Sequence, residues 1–331
     1  MLEVKNSFLG GGRSKQIDSI KGLLIILVIV GHFLPGTLKE NFARYFIYSF
    51  HMPIFFAVSG YLVNIEKLRN FNFLELLQKY GLRVIVPWLI AVQVYFSFNC
   101  VLGFESLTFK HYIVQYIWPF YHLWFVIGYL FCIGCLWTTI KLWKTEDATW
   151  LKGLAAISII MAAISISFPN VLSETLTGKV LNIIDNTLRP QFLMFFSAGI
   201  ILRKCELNIN VWKNIEMCSL MAIIVAALFY TNVSEALLDL VQWIFSFSLI
   251  LLLYAIRDIP IKEVKILMFC GVNSFPIYLW HIIGKQFALW ITGNTYNWIY
   301  YVCCFIWIMI LLPGIKIINK YSVPKRLFCG C

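Results

Sequence analysis

Charged residues are scarce in this sequence of 331 residues: Asp, Glu, Lys and Arg together make up only 13% of it. Hydrophobic residues make up 60%, and the mean hydropathy is +0.80. Because a soluble globular domain carries roughly 25% charged residues, this composition excludes a chain that is stable in water alone. The sequence therefore predicts an all-α, polytopic integral membrane protein.

Acidic residues are the scarcer of the two signs, with 16 Asp and Glu against 27 Lys and Arg and a net charge of +11. In a soluble chain this excess would suggest a nucleic-acid surface. In a membrane protein it has another cause, because basic residues accumulate in loops that stay in the cytosol. We therefore expect no nucleic-acid partner.

The sequence also lacks internal repeats, low-complexity segments and any stretch typical of an added soluble domain. No small-residue cleavage pattern follows the apolar run that starts at Ile20, so we expect the first span to be retained. These absences predict one domain over 1–331, with a membrane core at 18–318 and cytosolic tails at 1–17 and 319–331. Most of the ten cysteines lie inside apolar runs, which favours buried filler over a disulfide framework or a metal site.

Ten apolar stretches come near the roughly 20 residues that cross a bilayer. They lie at 20–38, 45–64, 83–102, 120–141, 151–168, 190–203, 214–232, 236–256, 265–286 and 297–318. With this division, 21 of the 27 Lys and Arg residues fall on one side of the membrane. The positive-inside rule then predicts an even number of spans and both termini in the cytosol.

Four of the five histidines share one depth within these spans. His32, His51, His122 and His281 each lie within roughly 10 Å of the predicted outer boundary at a rise of 1.5 Å per residue. A single imidazole in a membrane is readily satisfied by a neighbouring carbonyl, but four on four different spans indicate a polar site. His111 falls in a predicted external loop and receives no role.

Lys21 and His32 share one face of the first span. Their separation of eleven residues leaves them about 20° from eclipsed and roughly 16 Å apart along the helix axis. Asp18 lies on nearly the same face at the cytosolic mouth. A cation at the inner mouth and a base deeper on the same stripe would suit coenzyme A, which has an anionic head and a long thin arm. A snorkelling anchor explains Lys21 equally well on spacing alone.

Several fragments follow one another in the order typical of a known family. They are Ile17–Gly22 with Val30–His32, Phe50–Gly60, Arg83–Pro87, His122–Phe125, Phe196–Gly199 and Asn273–His281. In these fragments the sequence resembles the acyltransferase-three superfamily of membrane O-acyltransferases, which includes fucose-acetylase-like and surface polysaccharide O-acetyltransferases. It departs from the pattern at Lys21, where the family has Arg, and at Tyr80, where many relatives have a second arginine. Lys79, beside Tyr80, is a candidate substitute.

The resemblance implies a membrane enzyme of the bacterial inner membrane. It would move acetyl or another acyl group from cytosolic acyl-CoA to a hydroxyl of a surface or lipid-linked glycan, without a metal. His32 would be the catalytic base or acyl acceptor, an imidazole being suited to both. Lys21, Arg83 and Lys79 would hold the donor phosphates, with Asp18 in support. The candidates for the acceptor pocket or for stabilising the thioester oxygen are His51, Ser59, His122, Trp124, Asn273 and His281.

Two other classes of protein share some of these features. A transporter or flippase of a lipid-linked sugar also needs polar residues at depth and interrupted helices, although it needs no inner cation in register with a deep histidine. A membrane haem protein uses histidines that face each other from two spans. Pro53 and the Ser59–Gly60 pair predict an interruption of the second span, and broken backbone at depth is tolerated where it faces a protein-lined cavity. A structural kink alone explains these residues nearly as well.

Overall fold

The computed structural model describes residues 15–143, 149–167, 176–205, 207–257, 259 and 263–330. Every regular element in these ranges is helical, which confirms the all-α prediction. Parts of the predicted tails, including Lys5 and Arg13, and the loop residues Lys144 and Lys262 lie outside the described residues.

The helices in chain order are α1 Lys15–Phe33, α2 Phe42–Tyr48, α3 His51–Leu62, α4 Ile65–Asn70, α5 Phe73–Tyr80, α6 Val86–Val101, α7 Phe109–Ile117, α8 Trp124–Leu142, α9 Thr149–Ser167, α10 Leu176–Leu188, α11 Phe192–Lys204, α12 Val211–Leu228, α13 Glu235–Ala255, α14 Lys265–Val272, α15 Ser274–Trp280, α16 Ile282–Ile291, α17 Trp298–Ile318 and α18 Ser322–Pro324. There are also two π-helical segments in the described residues. Gly81–Ile85 joins α5 to α6, and Lys325–Cys329 follows α18.

Within the described ranges, seven helical stretches are long and apolar enough to cross a membrane. Six are single helices, and the seventh is Phe73–Val101, which joins α5 and α6 through the first π segment. An eighth is present if α14 and the stretch Ser274–Ile291, which are bent by 73° at a short break, count as one span. The multi-spanning architecture is therefore confirmed. The two other predicted spans, 45–64 and 190–203, correspond to helices that are shorter than a full crossing.

The second predicted span is broken earlier than its sequence suggested. α2 ends at Tyr48 and α3 begins at His51, so the interruption falls at Ser49 and Phe50. Pro53 lies in the first turn of α3, where a missing N–H costs little. The prediction that Ser59–Gly60 also interrupts the span is wrong, because α3 continues through both residues to Leu62.

Glycines explain why two helix pairs approach closely. A Cβ on Gly271 of α14 would lie 1.7 Å from the carbonyl oxygen of Asp18 on α1, and one on Gly60 of α3 would lie 2.0 Å from that of Phe196 on α11. Small residues allow backbones to approach in membranes, where apolar burial gives little drive to association. These two contacts fix α1 against α14 and α3 against α11 around the main hydrophobic core.

The π segment Gly81–Ile85 lies directly before α6, whose second residue is Pro87. A proline has no N–H and its ring clashes with the carbonyl four residues earlier, which here belongs to Arg83. The wider turn accommodates this clash, and such turns are frequent at functional sites. Gly330, with a φ of 70°, packs so close to this carbonyl that a Cβ would lie 2.0 Å from its oxygen.

Candidate active site

Three histidine rings meet at one end of α1: His32 lies in α1, His122 in the turn before α8, and His281 at the break between α15 and α16. The His32 ring centroid lies 5.3 Å from that of His281 and 6.1 Å from that of His122, and the last two are 5.1 Å apart. All three residues are buried. Among the described residues, no group of three His, Cys, Asp or Glu side chains is arranged to hold a metal ion. Because polar atoms in an apolar core are costly and imidazoles can exchange protons near neutral pH, the cluster is a candidate for acid–base chemistry.

Tyr48, at the end of α2, orients the imidazole of His32. Its hydroxyl and Nδ1 of His32 share a hydrogen bond of 2.7 Å. When Nδ1 is protonated, it donates a hydrogen bond to the Tyr48 hydroxyl, and Nε2 keeps a lone pair and can act as a base. The fourth histidine, His51, lies behind this pair, with its ring 4.9 Å from that of Tyr48 and its Nδ1 2.7 Å from the carbonyl oxygen of Ile47.

The other two histidines are anchored on one side and open on the other. His281 lies between α15 and α16, and its Nδ1 is 2.8 Å from the carbonyl oxygen of Tyr278. The Tyr278 hydroxyl donates to the carbonyl oxygen of His122. Nδ1 of His122 and Nε2 of His281 are buried without a hydrogen-bond partner in the part of the chain that the structure describes. Since a buried polar atom without a partner is unfavourable, these atoms are candidates to contact a bound ligand.

The end of α1 that carries His32 is fixed by hydrogen bonds to its last carbonyl groups. Lys285 of α16 donates to the carbonyl oxygen of His32 at 2.8 Å, and the Tyr300 hydroxyl donates to that of Phe33 at 3.1 Å. A helix leaves its last four carbonyls without partners, so these donors replace missing bonds. They hold the backbone of His32 in place, just as Tyr48 holds its ring.

A cavity of about 590 Å³ opens beside the other end of α1. Its lining includes four cationic side chains, those of Lys21, Lys67, Lys79 and Arg83, and no Asp or Glu is among its described lining residues. A volume of this size is typical of ligand and cofactor sites, which span roughly 300 to 1,000 Å³. The unbalanced positive charge indicates a ligand with several negative groups, such as phosphates.

The cavity follows the stripe of α1 that leads to His32. Lys21, Ile25 and Val28 line it at helical spacings of four and three residues, and His32 is the next residue on the same stripe. The lining stops at Val28, so His32 lies one turn, or roughly 6 Å, beyond it. Phe125 and Tyr278 form part of the wall there, with ring centroids 5.4 Å apart.

The structure places most of the predicted site residues in one of two regions, the cavity or the histidine cluster. Lys79 and Arg83 join Lys21 in the cavity lining, and Asp18 lies beside Lys21, with its Oδ1 4.0 Å from the ammonium nitrogen. The predicted acceptor residues Ser59 and Asn273 also line the cavity and are not brought to the histidine cluster.

Trp124 lies in neither region. It stacks on Phe192 at 5.4 Å and on Phe56 at 6.4 Å, and the guanidinium carbon of Arg189 lies 5.4 Å from its ring centroid. This packing holds the start of α8 in the aromatic core next to His122. The acceptor or oxyanion role of Trp124 stays a prediction.

Sequence reasoning missed several residues that the structure places at the site, namely Tyr48, Tyr121, Lys285 and Lys67. Tyr121 lies 4.9 Å from His32 between ring centroids. Lys285 carried a usable signal, because a cation inside a predicted span is costly and most often functional. Tyr48 and Tyr121 gave none, because no sequence spacing relates them to a histidine on another helix.

Comparison with known proteins identifies the family. The family model for the acyltransferase domain Acyl_transf_3 matches residues 14–316. Nodulation protein NolL of Sinorhizobium fredii is 28% identical over 230 residues, covering 62% of this chain and 60% of the relative. NolL of Mesorhizobium japonicum is 29% identical over 174 residues, covering 49% and 45%.

The chain thus matches only about half to three-fifths of the length of these curated relatives. No solved structure matches it. The family match, by contrast, contains the whole Lys21 to His32 stripe, both cavity cations of the Phe73–Val101 span and all three clustered histidines. The chain therefore belongs to the acyltransferase-three family of membrane proteins, as its motifs predicted.

Proposed function

We propose that the protein is an O-acetyltransferase that moves an acetyl group from acetyl-CoA to a hydroxyl of a cell-surface or lipid-linked glycan. The observation that supports this most directly is the cationic cavity that follows the Lys21 stripe of α1 and stops one turn below His32. The phosphates of the donor would lie among the cations, and the pantetheine arm would extend along Ile25 and Val28. The thioester would then reach His32 once the Phe125 and Tyr278 wall moves aside.

In the proposed reaction, His32 acts as the base. Its Nε2 accepts the proton of a glycan hydroxyl while that oxygen bonds to the thioester carbon. The bond between carbon and sulfur then breaks, and the coenzyme A thiolate leaves and takes the proton from His32, so that atoms and charge balance. Tyr48 keeps Nδ1 engaged throughout, a role that corresponds to the orienting group of a catalytic triad. The open nitrogens of His122 and His281 are proposed to contact the reacting groups.

The proposed membrane arrangement has ten crossings with both termini in the cytosol of a bacterial inner membrane. It counts the bent α14–α16 segment as one span, and adds the broken pair α2–α3 and the short α11 to the seven full-length stretches. The Lys21 end of α1 then faces the cytosolic donor and the His32 end faces the external acceptor. Alkaline phosphatase fusions are expected to be active after Lys39 and inactive after Lys67. Activity at both positions would contradict the arrangement.

The enzymatic proposal is tested with the purified protein in nanodiscs. Release of the coenzyme A thiol from acetyl-CoA is measured with a thiol reagent for the native protein and for His32→Ala. Loss of a general base lowers turnover by roughly 10² to 10⁴-fold, and we expect a loss in that range.

His111→Ala is the matched control, because it removes the same side chain from a partly exposed position on the short helix α7, where the ring contacts Ser106 and Glu105. The sequence placed this residue in an external loop, whereas the structure places it in a helix. Turnover of the control is expected to equal that of the native protein. If His32→Ala keeps native turnover, His32 is not the base and the proposed mechanism is rejected.

A further inference from the structure

Two cations lie beside the histidine cluster, at the end of α1 opposite the cavity. Lys285 is only 7% exposed, and Arg44 of α2 is half-buried. Among the described ion pairs, neither residue is bonded to an Asp or Glu. Their side chains donate hydrogen bonds to neutral groups: the carbonyl oxygens of His32 and Gly36 and the hydroxyl of Tyr121.

Tyr121 joins the two cations to His32. Nη2 of Arg44 donates to the Tyr121 hydroxyl at 2.6 Å, and the ammonium nitrogen of Lys285 lies 4.8 Å from the centroid of the same ring. The Tyr121 ring is in turn 4.9 Å from that of His32. The backbone of Tyr121 has a positive φ of 38°. Because the residue is 42% exposed, a ligand can reach its ring from the surface of this group.

A structural role explains only part of this arrangement. Both cations bind carbonyl oxygens at the end of α1 or in the loop after it, and a cation there is favoured by the helix dipole. However, a carbonyl dipole does not neutralise a full charge, and burying a charge is costly unless an opposite charge accompanies it. Nε of Arg44 is moreover buried with no hydrogen-bond partner in the described part of the chain. Within the described ranges, therefore, no carboxylate forms an ion pair with either cation.

Catalysis does not remove this imbalance. When His32 takes a proton from the acceptor, the imidazolium becomes a third positive charge within the same group of residues. The oxyanion formed on the thioester balances only that new charge. A negative group on the acceptor would balance the two that are present throughout.

We propose that Lys285 and Arg44 form a subsite for a carboxylate or phosphate of the acceptor, so that the preferred acceptor is an acidic sugar. The Tyr121 ring would carry the apolar face of the sugar, and the anion would place the accepting hydroxyl against Nε2 of His32. This inference rests on the proposed function, since that function defines the acceptor.

The test measures sugar binding without any donor. Native protein in nanodiscs of neutral lipid is titrated with methyl glucoside, methyl glucuronide, the methyl ester of that glucuronide, and methyl glucoside 6-phosphate, and dissociation constants are measured by ligand-observed NMR. We expect at least one of the two anionic sugars to bind roughly tenfold more tightly than the two neutral ones. Comparison of the two anionic probes shows whether the subsite prefers a carboxylate or a phosphate.

Variants of Lys285 then assign the preference. Lys285→Met removes the charge at similar volume and is expected to abolish the preference, whereas Lys285→Arg keeps the charge and is expected to retain most of it. Lys39→Met is the matched control, because Lys39 is a 90% exposed cation of the loop after α1 and lies 4.0 Å from Glu235. It should bind like the native protein.

Equal affinity of the native protein for neutral and anionic sugars would overturn the inference, as would a preference that survives both Lys285→Met and Arg44→Gln. Failure of the proposed function would be seen separately. In that case the protein would show no His32-dependent cleavage of the thioester but would still prefer anionic sugars.

Discussion

The two ends of α1 differ in how their polar groups are held. At the Lys21 end, cations line an open volume, with Asp18 beside Lys21 and the rings of Phe71 and Tyr80 beside Lys79. At the His32 end, polar groups are buried and joined by hydrogen bonds to carbonyls and hydroxyls. The first arrangement suits binding of a flexible anionic ligand, and the second suits chemistry that needs fixed geometry. We therefore expect variants at the Lys21 end to change KM and those at the His32 end to change kcat.

Gly271→Ala should have the largest effect, because it disturbs the packing of α14 against α1, the helix that carries both Lys21 and His32. The added Cβ would lie 1.7 Å from the Asp18 carbonyl oxygen, so α1 and α14 must separate. Overpacking of this kind costs about 1 to 3 kcal/mol. We expect a lower melting temperature in detergent, a lower kcat and a higher KM for acetyl-CoA. Gly134→Ala, where a Cβ meets nothing within 4 Å, is the control and should melt like the native protein.

Tyr48→Phe comes next and tests the His32 end alone. It removes the hydroxyl bonded to Nδ1 of His32 but keeps the ring, so the imidazole loses its orientation. We expect kcat to fall roughly 10- to 100-fold, with KM for acetyl-CoA within about twofold of native. The double variant with His32→Ala should be no slower than His32→Ala alone, since the two side chains act as a unit. Additive losses would contradict that coupling.

Lys21→Ala and Arg83→Ala test the Lys21 end. Each removes one charge from the cavity, and we expect KM for acetyl-CoA to rise roughly tenfold with kcat nearly unchanged. Added salt should weaken donor binding less in the variants than in the native protein. Lys15→Ala is the control, because that residue lies on the same helix but pairs with Glu263 at the surface and does not line the cavity. A fall in kcat alone would remove the contrast between the two ends.

Lys67→Ala should have the smallest effect. Lys67 lines the cavity from the short helix α4 and was not predicted from the sequence. Because Lys67 is exposed and Lys21 is partly buried, water and salt screen the charge of Lys67 more, and we expect a rise of about two- to fivefold in the KM for acetyl-CoA. Arg69→Ala on the same helix is the control, since Arg69 is not among the lining residues. Equal KM values for the two variants would exclude Lys67 from the donor site.

Features that depend on one helix or on composition were predictable from the sequence. The membrane class followed from hydropathy, and the shared face of Lys21 and His32 followed from helical spacing. The motifs identified the family, which the match over residues 14–316 confirmed. The cavity also contains Lys79, which the sequence offered as a substitute for the missing arginine.

Features that depend on contacts between helices were not predictable. The six candidates for the acceptor pocket were grouped by their depth and their motifs, yet Ser59 and Asn273 line the cavity while His122 and His281 meet His32. Depth along a helix does not fix the direction in which a side chain points. That direction depends on the rotation of each helix, which close contacts such as that of Gly60 with Phe196 set.

The sequence alone determined that the chain lies in a membrane, that it is helical, and that one helix carries a cation and a histidine on the same stripe. These properties follow from apolar content and from the geometry of a single helix. Only the tertiary structure decided that three imidazoles converge, that Tyr48 and Lys285 hold His32, and that four cations surround one cavity. Such sites join residues far apart in the sequence, and only the packing of helices in three dimensions fixes the distances between them.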